Sequence, residues 1–132
     1  DHQKRRGMAL LIAVSMLVTF ATQRLYLHLI NPNADFFLAG YNIHHLFTGA
    51  LIEIPAAIVL ALGAGGIRTR RAACVAFGCG TAMVLDEVVF LIATDGSNQA
   101  YLTPVSLWGA VVLVGIAVLL LAPFYFTRLN DY

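Results

Sequence analysis

Four apolar stretches, each about as long as a bilayer is thick, constrain this chain more than any other feature. A helix needs about 20 mainly apolar residues to cross the hydrocarbon core of a membrane. Stretches of that length cover residues 8–30, 41–62, 72–93 and 104–127. In lipid every backbone amide must find its partner within its own segment, so all of them are predicted to be helices.

The composition agrees with this interpretation. The chain is 60% hydrophobic and 11% charged, whereas a soluble domain is roughly 45–50% apolar and about 25% charged. Its net charge of +1 and the absence of a basic stripe interleaved with aromatic residues argue against a nucleic-acid partner. We therefore predict an all-α polytopic membrane protein, a single integral membrane domain over residues 1–132 whose surroundings are the lipid bilayer.

Short connecting segments predict how the helices are arranged. Residues 31–40, 63–71 and 94–103 are rich in the glycine, asparagine, aspartate and proline residues typical of turns. Short connections make neighbouring helices antiparallel, so we expect an up-down four-helix bundle. The opening residues resemble a signal peptide, but the apolar run continues through Leu29, so we interpret it as a retained transmembrane helix.

The lysines and arginines predict the orientation, because cytoplasmic loops are enriched in them. The opposite loops carry Asp35 and Asp95 and no basic residue. Both termini are therefore predicted to be cytoplasmic, and the compact loops favour a bacterial inner (plasma) membrane. The basic residues that fall on one side are Lys4, Arg5, Arg6, Arg68, Arg70, Arg71 and Arg128.

Ionisable side chains within the predicted helices lie in one layer of the outer half. A charge near the bilayer centre costs at least about 2.5 kcal/mol, so such groups usually mark a functional site. His45 and Glu53 are eight residues apart, which places them about 80° apart around one helix, with Gly49 between them. Asp86 and Glu87 come to a similar depth on the third helix. We therefore predict one shared pocket centred on His45 and Glu53.

A metal ion is the first hypothesis for this pocket, because imidazole and carboxylate groups are ligands of Zn, Mn, Fe and Cu. His44 lies about 180° from Glu53 around the helix, so it is expected to face the first helix, a loop or a neighbouring subunit. The candidate ligands are His45, Glu53, Asp86 and Glu87, with His28 or His44 as a further ligand or as an orienting partner.

The same residues suggest a reaction. A bound divalent metal with an open position would activate water or dioxygen against a lipid-soluble substrate. Glu53, Asp86 and Glu87 are then the candidate catalytic groups of a membrane metalloenzyme. A haem held by His28 and His45 is a weaker hypothesis, because it needs one histidine from each helix at matched depth.

Two other hypotheses need no metal. In one, His45 and the carboxylates bind or relay protons or other ions, as such residues do in pumps and transporters, and a chain of this length would form a homo-oligomer to conduct them. In the other, Arg24 forms a structural ion pair with Asp86 or Glu87, and the protein is a structural or accessory subunit of a larger membrane complex. One arginine against three acids leaves negative charge to be balanced, which argues against a purely structural role.

Overall fold

The computed structural model describes residues 2–126, and its architecture is all-α. Thr127, the expected end of the last span, and Arg128 lie outside the described residues. In chain order the elements are α1 (His2–Leu29), β1 (Phe37–Leu38), β2 (Tyr41–Asn42), α2 (His45–Ala61), α3 (Ile67–Ala93), α4 (Asn98–Tyr101) and α5 (Pro104–Phe126).

Within the described residues, three helices are long and apolar enough to cross a membrane: α1 with 28 residues, α3 with 27 and α5 with 23. The stretch 41–62 was expected to be a fourth such helix, but α2 has only 17 residues. At 1.5 Å per residue it is about 25 Å long, which is less than the ~30 Å hydrocarbon core. The difference lies at its start, where Tyr41 and Asn42 pair with β1 instead of continuing the helix.

Helix α3 is the central element, because it packs against α1, α2 and α5. Helix α1 runs parallel to it, since Gly78 lies against Ile12 while Asp86, further along, meets Arg24. Helix α2 runs antiparallel to it, since His45 meets Asp86 and the later Glu53 meets Thr81.

Glycines bring α2 and α3 into backbone contact. A Cβ atom added at Gly49 would lie 2.7 Å from the carbonyl oxygen of Gly80, and one added at Gly80 would lie 2.6 Å from that of Gly49. Both distances are shorter than a van der Waals contact, so this crossing requires glycine on both helices. Small residues allow membrane helices to approach in this way.

The outward faces of the helices are apolar. Leu51, Ile92 and Leu119 are 75%, 82% and 71% exposed. Soluble monomers rarely expose apolar surface on this scale, and a lipid environment accounts for it. Together with the three long apolar helices, this surface indicates a multi-pass membrane protein.

The hairpin β1–β2 marks one end of the molecule, which we call the hairpin end. Its turn uses Ala39 and Gly40, both with positive φ. Asp35 accepts hydrogen bonds from the side-chain amides of Asn42 and Asn98, at 3.1 and 3.0 Å. The hairpin is thereby tied to the segment that contains α4. The other end, with the starts of α1 and α3 and their arginines, we call the basic end.

Candidate functional site

An ion pair between Arg24 of α1 and Asp86 of α3 lies at the centre of the polar cluster. The two residues are 5% and 0% exposed, and Arg24 Nε donates to Asp86 Oδ1 at 2.5 Å. The Arg24 guanidinium also donates to the carbonyl oxygens of Tyr101, Asp86 and Ser106 and to the Ser106 hydroxyl, at 3.0–3.2 Å. One cation therefore joins α1, α3, α4 and α5 near the hairpin end.

Tyr101 closes this network from the short helix α4. The side chain of Ser97 caps α4 by accepting from the amide of Ala100. The Tyr101 hydroxyl donates to Asp86 Oδ2, and its ring lies 4.0 Å from Arg24 Cζ in a cation–π contact. Burial raises the pKa of the Tyr101 phenol, and the Asp86 carboxylate raises it further. The phenol therefore keeps its proton and remains a donor to Asp86.

His45 lies between two carboxylates. Its Nε2 atom is 2.8 Å from Asp86 Oδ2, and its Nδ1 atom is 3.3 Å from Glu87 Oε1. The imidazole is 20% exposed, whereas the two carboxylates are almost fully buried. His45 thus connects the buried Arg24–Asp86 pair to the more accessible side of the cluster.

Glu87 organises the start of α2. Its Oε2 atom accepts a hydrogen bond of 2.7 Å from the backbone amide of Leu46, in the first turn of that helix. An acceptor at a helix N-terminus satisfies an otherwise unpaired amide, and a negative charge there is favoured by the helix dipole. The other oxygen, Oε1, faces the Nδ1 atoms of His44 and His45. This carboxylate therefore satisfies a backbone amide at the start of α2 and also contacts both His44 and His45.

A cavity of about 140 Å³ opens beside this cluster. His44, His45, Glu87 and Tyr101 contribute the buried side of its wall. Further polar and aromatic residues also line the cavity: Asp35, Phe36, Asn42, Thr48, Phe90 and Asn98. We call it the hairpin-end cavity, because Asp35, Phe36 and Asn42, in or beside the hairpin, line it.

The structure separates Glu53 from this cluster. It therefore corrects the prediction that His45 and Glu53 share one pocket. Glu53 accepts a hydrogen bond of 2.8 Å from the Thr81 hydroxyl, and it does not line the hairpin-end cavity. Glu53 lies two turns after His45 on α2. Because α2 and α3 are antiparallel, it lies beside a part of α3 that comes before Asp86. The Gly49–Gly80 crossing also fills the intervening space with backbone.

The two other histidines among the candidate ligands, His28 and His44, also differ from expectation. His44 was expected to face away from the ligand set, but it is the residue before the first turn of α2, with extended backbone. The helical angle therefore does not apply to it, and its Nδ1 atom lies 3.4 Å from Glu87 Oε1. His28 instead places its Nδ1 atom 2.8 Å from the carbonyl oxygen of Arg24, on its own helix.

Tyr101 is the participant that the sequence did not reveal. It lies in a segment rich in turn residues, and its buried ring packs edge-on against Phe90 of α3. Ser106 was visible as a polar residue in the first turn of the last apolar stretch, but its role as an acceptor for Arg24 was not.

The polar side chains of the cluster are hydrogen-bonded to one another and to nearby backbone groups. Across residues 2–126, no group of three or more His, Cys, Asp and Glu side chains is arranged to hold a metal ion. Comparison with known proteins found no matching family model, no matching curated protein and no matching solved structure.

Proposed function

We propose that this multi-pass membrane protein binds a divalent metal ion, Zn, Mn, Fe or Cu, at the hairpin-end cavity. In this proposal His44, His45 and Glu87 are the ligands, and Asp86 orients His45. Four helices cross the bilayer of a bacterial inner membrane with both termini cytoplasmic, so the cavity opens to the outer side.

A topological argument supports the four crossings. Helices α1 and α3 are parallel neighbours of nearly equal length, and α2 connects the end of the first to the start of the second. The chain must return across the same thickness between them. Because α2 is short, the bilayer is expected to thin beside it, a modest adjustment that lipids make around short helices.

The distance between ligand atoms is the observation that carries the metal proposal. The Nδ1 atoms of His44 and His45 lie 3.4 and 3.3 Å from the same atom, Glu87 Oε1. These separations are longer than the ~2.9–3.0 Å of a typical N–H···O hydrogen bond. They match the roughly 3.3–3.4 Å edges of a tetrahedron whose metal–ligand bonds are about 2.0–2.1 Å. Modest rotations of the two imidazoles would then turn a hydrogen-bonded cluster into a three-ligand site.

The surroundings of these atoms support the same proposal. A metal-binding histidine usually donates its second ring N–H to a carboxylate, and Asp86 Oδ2 lies 2.8 Å from His45 Nε2. Arg24 balances the charge of Asp86. The contacts of Glu87 within the described chain are imidazoles and an amide. A bound cation would balance this second buried carboxylate.

Metal analysis of the purified protein tests the proposal. The detergent-solubilised protein is incubated separately with Zn, Mn, Fe and Cu salts, freed of unbound metal and analysed for its metal content. We expect stoichiometric metal in the wild type and its loss in Glu87→Gln, whose amide oxygen still accepts from the Leu46 amide. Asp86→Asn should weaken binding by about 10- to 100-fold, the usual effect of removing an orienting partner.

Glu53→Gln is the matched control, because it removes a carboxylate from α2 outside the cavity. It should bind metal like the wild type. Wild-type protein that binds none of the four metals refutes the proposal. So does a loss of binding in Glu53→Gln equal to that in Glu87→Gln, which would return the site to the pocket expected from helix angles.

Proton binding is the second candidate, and the position of His45 between Asp86 and Glu87 favours it. In that case the cluster exchanges protons with the outer side through the cavity, and no metal is needed. Proton uptake by protein-containing liposomes distinguishes the two. Metal-free uptake that disappears in His45→Gln supports proton binding, and uptake unchanged in that variant refutes it.

A further inference from the structure

A second cavity lies at the basic end, far from the hairpin-end cavity. It has a volume of about 410 Å³ and lies between the first turns of α1 and the start of α3. Its wall combines two kinds of residue. Lys4 and Arg71 contribute positive charge, and Met8, Leu11 and Ile67 contribute apolar surface.

Two of the residues that line this cavity are basic. Lys4 and Arg71 lie on different helices, and both line the same cavity. Within residues 2–126, the first turns of α1 and α3 contain no acidic residue. The positive ends of two parallel helix dipoles add to the same potential. The cavity therefore favours an anion at its polar end.

The rest of the wall argues for an amphiphilic ligand rather than a small ion. Met8 and Leu11 follow Lys4 along α1 toward the apolar part of the helix. Gly7 leaves the space beside them open, because a Cβ atom added there would meet no atom within 4 Å. Along α1 the wall thus changes from basic to apolar in the direction in which a lipid changes from headgroup to acyl chain, while on α3 Arg71 lies about one turn further along the helix than Ile67.

We propose that this basic-end cavity is a binding site for an anionic phospholipid, with its phosphate near Lys4 and Arg71 and an acyl chain along Met8 and Leu11. Basic pockets between membrane helices on the cytoplasmic side commonly hold such headgroups. The site is independent of the metal proposal, because it shares no residue with the hairpin-end cavity.

Lipid retention by the purified full-length protein tests this inference. Native mass spectrometry measures how much phosphatidylglycerol and how much phosphatidylcholine stay bound after solubilisation from mixed vesicles. We expect the wild type to retain mainly phosphatidylglycerol. Arg71→Gln should lower its retention by about fivefold, the effect of one basic residue near an anionic lipid.

Two further variants make the test specific. Gly7→Leu fills the cavity without changing the charge, does not weaken the helix, and should also lower retention. Arg68→Gln removes one charge from the same turn of α3 but does not line the cavity, so it should retain lipid like the wild type. Equal losses in Arg68→Gln and Arg71→Gln would overturn the proposal, because only general surface charge would be involved. Unchanged retention in Gly7→Leu would overturn it too.

Inorganic phosphate separates a lipid site from a site for a free anion. Added phosphate should not stabilise the lipid-free protein against heat, whereas phosphatidylglycerol should. Stabilisation by phosphate alone, equal to that by the lipid, would contradict a lipid site.

Discussion

Replacing Arg24 by methionine is the most direct test of how this protein is held together. Arg24 donates to five acceptor groups, which belong to α3, α5 and the last residue of α4. Arg24→Met keeps an unbranched side chain and removes the charge and all donors. Asp86, which is 0% exposed, then loses the cation that neutralises it.

The expected loss follows from the burial of this pair. Removing one partner of a buried ion pair costs about 3–5 kcal/mol, because the other charge is left uncompensated. An exposed pair contributes roughly 0–1 kcal/mol. Since whole proteins are stable by about 5–15 kcal/mol, Arg24→Met should remove a large part of the free energy of unfolding.

A double-mutant cycle isolates the interaction. The free energy of unfolding is measured by denaturant titration of the detergent-solubilised protein, followed by circular dichroism. We expect Arg24→Met combined with Asp86→Asn to be more stable than the sum of the single changes predicts, by about 0.5–3 kcal/mol. The exposed Arg68→Met is the control and should stay within about 0.5 kcal/mol of the wild type.

Two outcomes would refute the reasoning. A loss below about 1 kcal/mol in Arg24→Met would show that the pair behaves like an exposed one. Strict additivity in the cycle would show that Arg24 and Asp86 do not stabilise each other.

The other predictions concern helix packing and alkaline stability. Gly49→Ala should lower the free energy of unfolding by about 1–3 kcal/mol, because its Cβ would overlap α3. Gly115→Ala, on an open face of α5, should raise it by up to about 1 kcal/mol; equal effects of both would contradict the close crossing. The pKa of Tyr101 is raised in the folded protein. Its contribution to the free energy of unfolding is therefore complete below about pH 10, where a free phenol ionises, and is lost as the pH rises further. Tyr101→Phe should therefore flatten the alkaline fall in unfolding free energy, and an unchanged fall would refute that assignment.

The sequence predicted the helical elements well because each depends on its own residues. An apolar stretch of spanning length must satisfy its amides internally, whatever surrounds it. Three of the four expected spans correspond to α1, α3 and α5. The start of α2 was predicted too early. Tyr41 and Asn42 pair with β1, which lies outside the apolar stretch, so the residues of the stretch alone do not indicate this pairing.

The site was predicted only in part. Depth counted along the helices placed Asp86 and Glu87 near His45, and the structure brings these three together. Helix angles placed Glu53 in the same pocket, but they contain no information on where two helices cross. The Gly49–Gly80 contact decides that Glu53 meets Thr81 instead.

The sequence by itself therefore determined the class of the protein, its apolar helices and the two ends at which its charges gather. These properties follow from local composition and the need to satisfy each backbone amide. Only the tertiary structure decided which charges are partners: Arg24 with Asp86, and Glu87 with the two histidines. The physical reason is that a buried charge is stabilised by atoms a few ångströms away, and crossings and loops bring those atoms together from distant parts of the chain.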